Sequence, residues 1–168
     1  MKLLYTFLAF FCILPAAFAC PRQERVSGAV KQYQYLRMGT MATPQLFIDV
    51  YRDESGRPLI AYLHNSPIVL VYEAPEDIFE RIREMVRSHR LRRLKRDYMP
   101  TINILDGWTW NLWIYYEKGM IVSAGFNASP SAKMEAGMDA INGYIKDCTV
   151  EREPIDRLPY RTYRGWDK

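Results

Sequence analysis

Residues 106–130 read DGWTWNLWIYYEKGMIVSAGFNASP, and this stretch decides the fold. Asp106-Gly107 is a turn signal. Trp108 to Glu117 and Met120 to Asn127 are rich in aromatic and β-branched residues and predict two strands. Lys118-Gly119 between them predicts a two-residue hairpin loop. With that loop Glu117 faces Met120, Trp110 faces Asn127, Leu112 faces Gly125, Ile114 faces Ser123 and Tyr116 faces Ile121. The other side pairs Asn111 with Phe126, Trp113 with Ala124 and Tyr115 with Val122. Each such pair contributes roughly 0.2–1 kcal/mol. Side chains alternate along a strand, so Trp110, Leu112 and Ile114 take the core face and Trp113 and Tyr115 the opposite one. Ser129-Pro130 then predicts a helix start, serine as cap and proline in the first turn. Met134, Met138, Ile141, Ile145 and Cys148 follow at helical spacing as one buried stripe.

Upstream, Val26 to Arg37 is rich in Val, Tyr and Gln and predicts a strand, and Met38 to Pro44 a loop. Gln45 to Arg52 alternates, with Leu46, Ile48 and Val50 on one side and Phe47, Asp49 and Tyr51 on the other. Residues 53–57 form a turn, and Pro58 to His64 is the returning strand of a hairpin. Ile68 to Tyr72 is a short continuous apolar run, a buried strand. Ala74-Pro75-Glu76-Asp77 opens a helix. Its apolar face is Ile78, Phe79, Ile82, Met85, Val86 and His89, and it ends or kinks near Ser88-His89. Leu91, Leu94 and Tyr98 belong to a separate basic turn. The predicted fold class is α+β: an antiparallel sheet of about six strands with two main helices packed on one face. Residues 20–148 form this single domain. Residues 149–168, with Pro154 and Pro159 and no apolar period, read as an extended tail.

Asp106-Gly107-x-x-Trp110 followed by Gly125-x-Asn127-x-x-Pro130 resembles the pattern of uncharacterised exported bacterial α+β domains, many of them lipoproteins. The likeness covers most of residues 26–148 and implies a fold, not a reaction. The motif has a structural reading. Gly107 permits a tight turn, and the Asp106 carboxylate caps it. Trp110 covers the bare backbone at Gly125. Asn127 holds the loop that leads through Pro130 into the helix. In one respect the chain departs from that family, where the second face of the hairpin is usually polar. Here it carries Trp113, Tyr115, Val122, Ala124 and Phe126. An open patch of this kind marks an interaction site; the plain alternative is that the tail covers it.

The amino terminus reads as an export signal over residues 1–19. Lys2 precedes an apolar run from Leu3 to Leu14, Pro15 breaks it, and Ala17 and Ala19 form a small-x-small cleavage signature. The run is too short to span a bilayer. Cys20 then stands first in the mature chain and is the expected lipid-attachment residue. A lipoprotein signal ordinarily has a larger aliphatic residue three places earlier and a small one two places earlier, where Ala17 and Phe18 stand. The alternative is simple cleavage and a disulfide from Cys20 to Cys148. Otherwise Cys148 is a small buried hydrophobe. The expected location is the outer membrane or another cell-envelope site by lipid anchor, alternatively the periplasm or medium.

Lys and Arg outnumber Asp and Glu 23 to 19, a net charge of +4, too small to argue for nucleic acid as a partner. Residues 81–96 carry eight Arg or Lys and one Glu. That is a solvated face with aliphatic stems on the core, or a contact for headgroups and polyanions. The two histidines, His64 and His89, fall on apolar faces. No HExxH, CxxC, GxSxG or phosphate-loop spacing occurs. Asp49, Asp53 and Glu54 lie near one hairpin end, not across a cleft as a paired-carboxylate glycosidase needs. No metal or cofactor is expected. The reading is a non-catalytic envelope domain that binds a protein or polysaccharide through Trp113, Tyr115, Val122 and Phe126. The alternatives are a hydrolase built on His64 with a nearby acid, and a purely structural lipoprotein.

Overall fold

A computed structural model describes residues 25–40, 44–102 and 106–164. The expected export signal at 1–19, Cys20 and Trp166 lie outside them. Four strands come first: β1 (Ser27–Met38), β2 (Pro44–Arg52), β3 (Pro58–His64) and β4 (Ile68–Glu73). They form an antiparallel meander. The β2–β3 turn is closed by Asp53, whose carboxylate accepts from the Ser55 hydroxyl and from the Ser55 and Arg57 amides. These bonds, the Ser55 hydroxyl first, hold its carboxyl down at about 2. Gly56 takes φ +87° there, a conformation costly for any residue with a Cβ.

Helix α1 (Ile78–Ser88) follows and buries Ile78, Phe79, Ile82 and Val86. It ends where Arg90 turns left-handed, and a 3-10 turn at Leu91–Arg93 then drops Leu91 and Leu94 into the core. The chain continues through β5 (Asp97–Tyr98), β6 (Thr109–Lys118), β7 (Met120–Phe126), α2 (Ala132–Asp147), β8 (Asp156–Pro159) and α3 (Tyr160–Tyr163). The eight strands of the described residues join one sheet in the order β5-β7-β6-β1-β2-β3-β4-β8. Every pair is antiparallel except β5–β7.

The sheet thus has eight strands where about six were predicted. The two extra strands are its edges. β5 is two residues long and β8 four, too short for any alternation to show, and each exists only through pairing with a distant strand. The tail is therefore more than an extended segment: β8 pairs with β4, and α3 packs beyond it.

Both faces of the sheet are buried, unequally. α1 and α2 cover one face over Tyr33, Tyr35, Ile48, Val50, Ile60, Trp110, Leu112, Ile114 and Ile121. Tyr33 is wholly enclosed, and its hydroxyl donates to Asn142 of α2 at 2.8 Å. Gly137 lets α2 approach His89 at the end of α1, where a Cβ would collide with the His89 side chain. On the second face a smaller core gathers Phe47, Leu59, Ala61, Leu63, Val69, Val71 and Tyr160. Tyr160 and Tyr163 of α3 meet the edge of Phe47 at 5.3 and 5.4 Å between centroids.

The register of the β6–β7 hairpin differs from the predicted one by two positions. Trp110 pairs with Gly125, Leu112 with Ser123, Ile114 with Ile121, and Tyr115 with Met120. The turn sits on Glu117-Lys118, closed by Tyr116 N–H to Gly119 O, with Gly119 at φ +77°. A slip of two keeps every side chain on its face, whereas a slip of one reverses them all. The predicted faces therefore hold while the partners change. α2 starts later than predicted: its N-cap is Ser131, and the Ser129 hydroxyl donates to Glu135 Oε1 at 2.8 Å.

Candidate interaction face

The hairpin that carries the candidate residues is fastened by five of the six motif positions. Asp106 Oδ1 accepts from the Gly107 amide at 2.8 Å. Asn127, left-handed at φ +44°, accepts from the Trp108 amide through Oδ1 at 2.9 Å and donates through Nδ2 to Asp106 O at 3.2 Å. Its side chain fills the space a Cβ on Gly107 would need. Trp110 lies directly opposite Gly125, occupies the space above it, and donates through Nε1 to Ala128 O at 2.9 Å. Pro130 is buried just before α2. The structure thus brings Asp106, Gly107, Trp110, Gly125 and Asn127 together at one end of the hairpin, clamping β6 to β7, with Pro130 buried at the entry to α2.

That clamp fixes the second face of the hairpin. Trp113, Tyr115, Val122, Ala124 and Phe126 all point there, and all are half-exposed. α3 covers the β2–β4 half of the second face and leaves this half open among the described residues. The two halves meet along β1, where Gln34 pairs with Trp113 and Gln32 with Tyr115. At the hairpin's outer edge a shallow groove of about 200 Å³ runs between Tyr98, Met99, Thr109, Asn111, Ala124 and Phe126.

Sequence reasoning did not find the group that joins the halves. Asp49 is 4% exposed in the middle of β2, between Gln34 on β1 and Ala61 on β3. Gln32 Nε2 donates to its Oδ1 at 2.8 Å; Gln34 Nε2 and the Tyr163 hydroxyl donate to its Oδ2, each at 2.9 Å. Burial raises the Asp49 carboxyl, and the three hydrogen bonds oppose the rise. Burial and the neighbouring Asp49 push the Tyr163 phenol far above its ordinary value. The available signal was the alternation itself, which puts Gln32, Gln34 and Asp49 on one face. Asp49 is thus apart from Asp53 in the turn.

His64 and Asp49 do not form one site. His64 is exposed at the end of β3 and shares the face of Ile60 and Tyr62; Asp49 pairs with Ala61 and faces the other way. His89 is half-buried against Gly137. Cys148 is buried at the end of α2, where desolvation raises its thiol. Among the described residues no three His, Cys, Asp or Glu side chains group closely enough to hold a metal ion. Nor is any helix among them long and apolar enough to cross a membrane.

No protein-family model matches this chain, and no curated protein matches it. The functional reading therefore rests on the chain's own residues.

Proposed function

We propose that the protein is a non-catalytic binding module of the cell envelope that holds polysaccharide on the open half of the second sheet face. One observation carries the reading: Trp113, Tyr115, Val122 and Phe126 stay half-exposed while the tail covers the rest of that face. Aromatic faces stack on the C–H faces of sugar rings, since the ring quadrupole attracts those hydrogens. Amides supply the hydrogen bonds that hydroxyl groups need. Gln32, Gln34 and Asn111 are half-exposed on the same face, and the glutamines are oriented by Asp49. None of these open-half residues is charged, which favours a neutral glycan over an ionic partner. Envelope placement is part of the proposal and rests on the export signal and Cys20; intact mass of the mature amino terminus tests it.

Binding is measured by affinity electrophoresis through gels containing soluble neutral polysaccharides and by co-sedimentation with purified cell-wall glycan. Combined Trp113→Ala and Tyr115→Ala should abolish retardation and leave the unfolding midpoint within a few degrees of the parent. Loss of a buried aromatic anchor costs roughly 2 kcal/mol or more of binding. Retention of glycan binding in the double variant would sink the reading, and protein pull-downs lost only in the variant would replace the glycan with a protein partner.

A further inference from the structure

The segment from Arg87 to Arg96 carries Arg87, Arg90, Arg92, Arg93, Lys95 and Arg96, every one exposed, with no acid among them. Elsewhere on α1 the arginines are paired, Arg81 with Asp77 and Arg83 with Glu80. The Arg92 guanidinium lies over the Tyr116 ring, 5.3 Å from its centroid. The other five cations of the segment have no carboxylate partner among the described residues. The backbone beneath them is held rigidly. Leu91 and Leu94 are buried, the Ser123 hydroxyl donates to Lys95 O, and the Ala124 amide donates to Arg96 O. Lys95 and Arg96 are therefore fixed at the β5–β7 edge, while Arg87 and Arg92 line a groove beside Val26–Gly28 at the start of β1.

Directly beyond β5 in the chain are Met99, 71% exposed, and Ile102, 69% exposed, the two most exposed large hydrophobic side chains among the described residues. Solvated charges need no apolar neighbours, and isolated apolar tips need no explanation. Their succession along one edge fits a surface with negative charge outside and hydrocarbon beneath it. We propose that this edge docks on a bilayer surface containing anionic phospholipid, with Arg93, Lys95 and Arg96 among the headgroups and Met99 and Ile102 entering the acyl boundary. Each basic residue near such a surface strengthens binding about fivefold. Buried apolar area adds to that attraction. The basic side chains lie apart from the proposed glycan face, and Met99 borders it through the groove it shares with Asn111 and Phe126.

The test is co-sedimentation of the full chain with vesicles of phosphatidylcholine alone and of phosphatidylcholine with phosphatidylglycerol. Binding should appear only with the anionic vesicles at about 0.1 M salt and be lost at about 1 M, where screening shortens to about 3 Å. Combined Arg93→Gln, Lys95→Gln and Arg96→Gln should weaken it by about two orders of magnitude. Met99→Ser with Ile102→Ser should weaken vesicle binding severalfold without changing binding to soluble polyphosphate. All five side chains are exposed, so unfolding midpoints should not move, and Trp113→Ala should bind vesicles like the parent. Equal binding to neutral vesicles, or no effect of the three glutamines, would overturn the proposal. A serine pair without effect, with polyphosphate bound as tightly as vesicles, would overturn it in favour of a soluble polyanion.

Discussion

Truncating Trp110 to alanine probes the assignment of the two faces of β6. The indole is 2% exposed, donates to Ala128 O at 2.9 Å, and lies over Gly125, which has no side chain to fill the gap. Truncation of a buried aromatic costs about 3–5 kcal/mol. The orphaned Ala128 carbonyl adds about 1 kcal/mol. The expected loss is therefore about 4–6 kcal/mol, against a total of about 5–15 kcal/mol for a typical domain. Trp113 is three residues away on the same strand but half-exposed on the other face, and Trp113→Ala should cost no more than about 1 kcal/mol. Urea unfolding followed by far-ultraviolet circular dichroism, where tryptophan loss does not remove the signal, measures both. Equal costs for the two variants, or a Trp110→Ala midpoint matching the parent, would refute the reasoning.

Two further outcomes are expected. Gly125→Ala should destabilise by about 1–3 kcal/mol or more, because its Cβ would meet the Trp110 indole and Ala128 O, and tryptophan emission should shift to the red; an unchanged midpoint and spectrum would show that the indole sits elsewhere. Burial raises the Asp49 carboxyl above its unfolded value, so the stability its protonation gives is complete below the ordinary aspartate range and is lost as pH rises through the raised value. Asp49→Asn cannot titrate, so its stability relative to the parent should fall as pH is lowered from about 7 to about 3; parallel profiles for the two proteins would contradict this.

What was legible in the sequence was whatever repeats with a short period. The β1–β4 meander, the faces of β6 and β7, and the stripes of α1 and α2 all follow from spacings of two or of three and four. Within the motif at 106–130 the indole over Gly125 was legible as a local device, but Asn127, expected to hold the loop into α2, instead binds the Trp108 amide and Asp106 O across the hairpin. What escaped notice depends on distant partners. β5 exists because Tyr98 lies beside Gly125, and β8 because Leu158 lies beside Val69. The hairpin register turned on where the left-handed glycine sits in the turn, which composition alone leaves open between neighbouring frames. Asp49 was read on a strand and grouped with Asp53 and Glu54 only as acids near one hairpin end. Its true companions, Gln32, Gln34 and Tyr163, are remote in the chain.

The placement of β1 bears on how the chain reaches this state. β1 is the first strand in sequence yet lies inside the sheet, with β2 on one side and β6 on the other. Tyr35 finds Ile48 soon after it is made but must wait for Leu112. The β1–β4 meander can assemble from local contacts. Its free β1 edge then stays unpaired until the hairpin of β6 and β7 arrives. Contacts so far apart in sequence close slowly and set the folding rate. An open edge strand in the interval is a template for another chain. The Ser27–Met38 edge is consequently where refolding at high concentration should lose material to aggregation. A peptide copying β6 should compete for it during refolding and leave the finished sheet untouched.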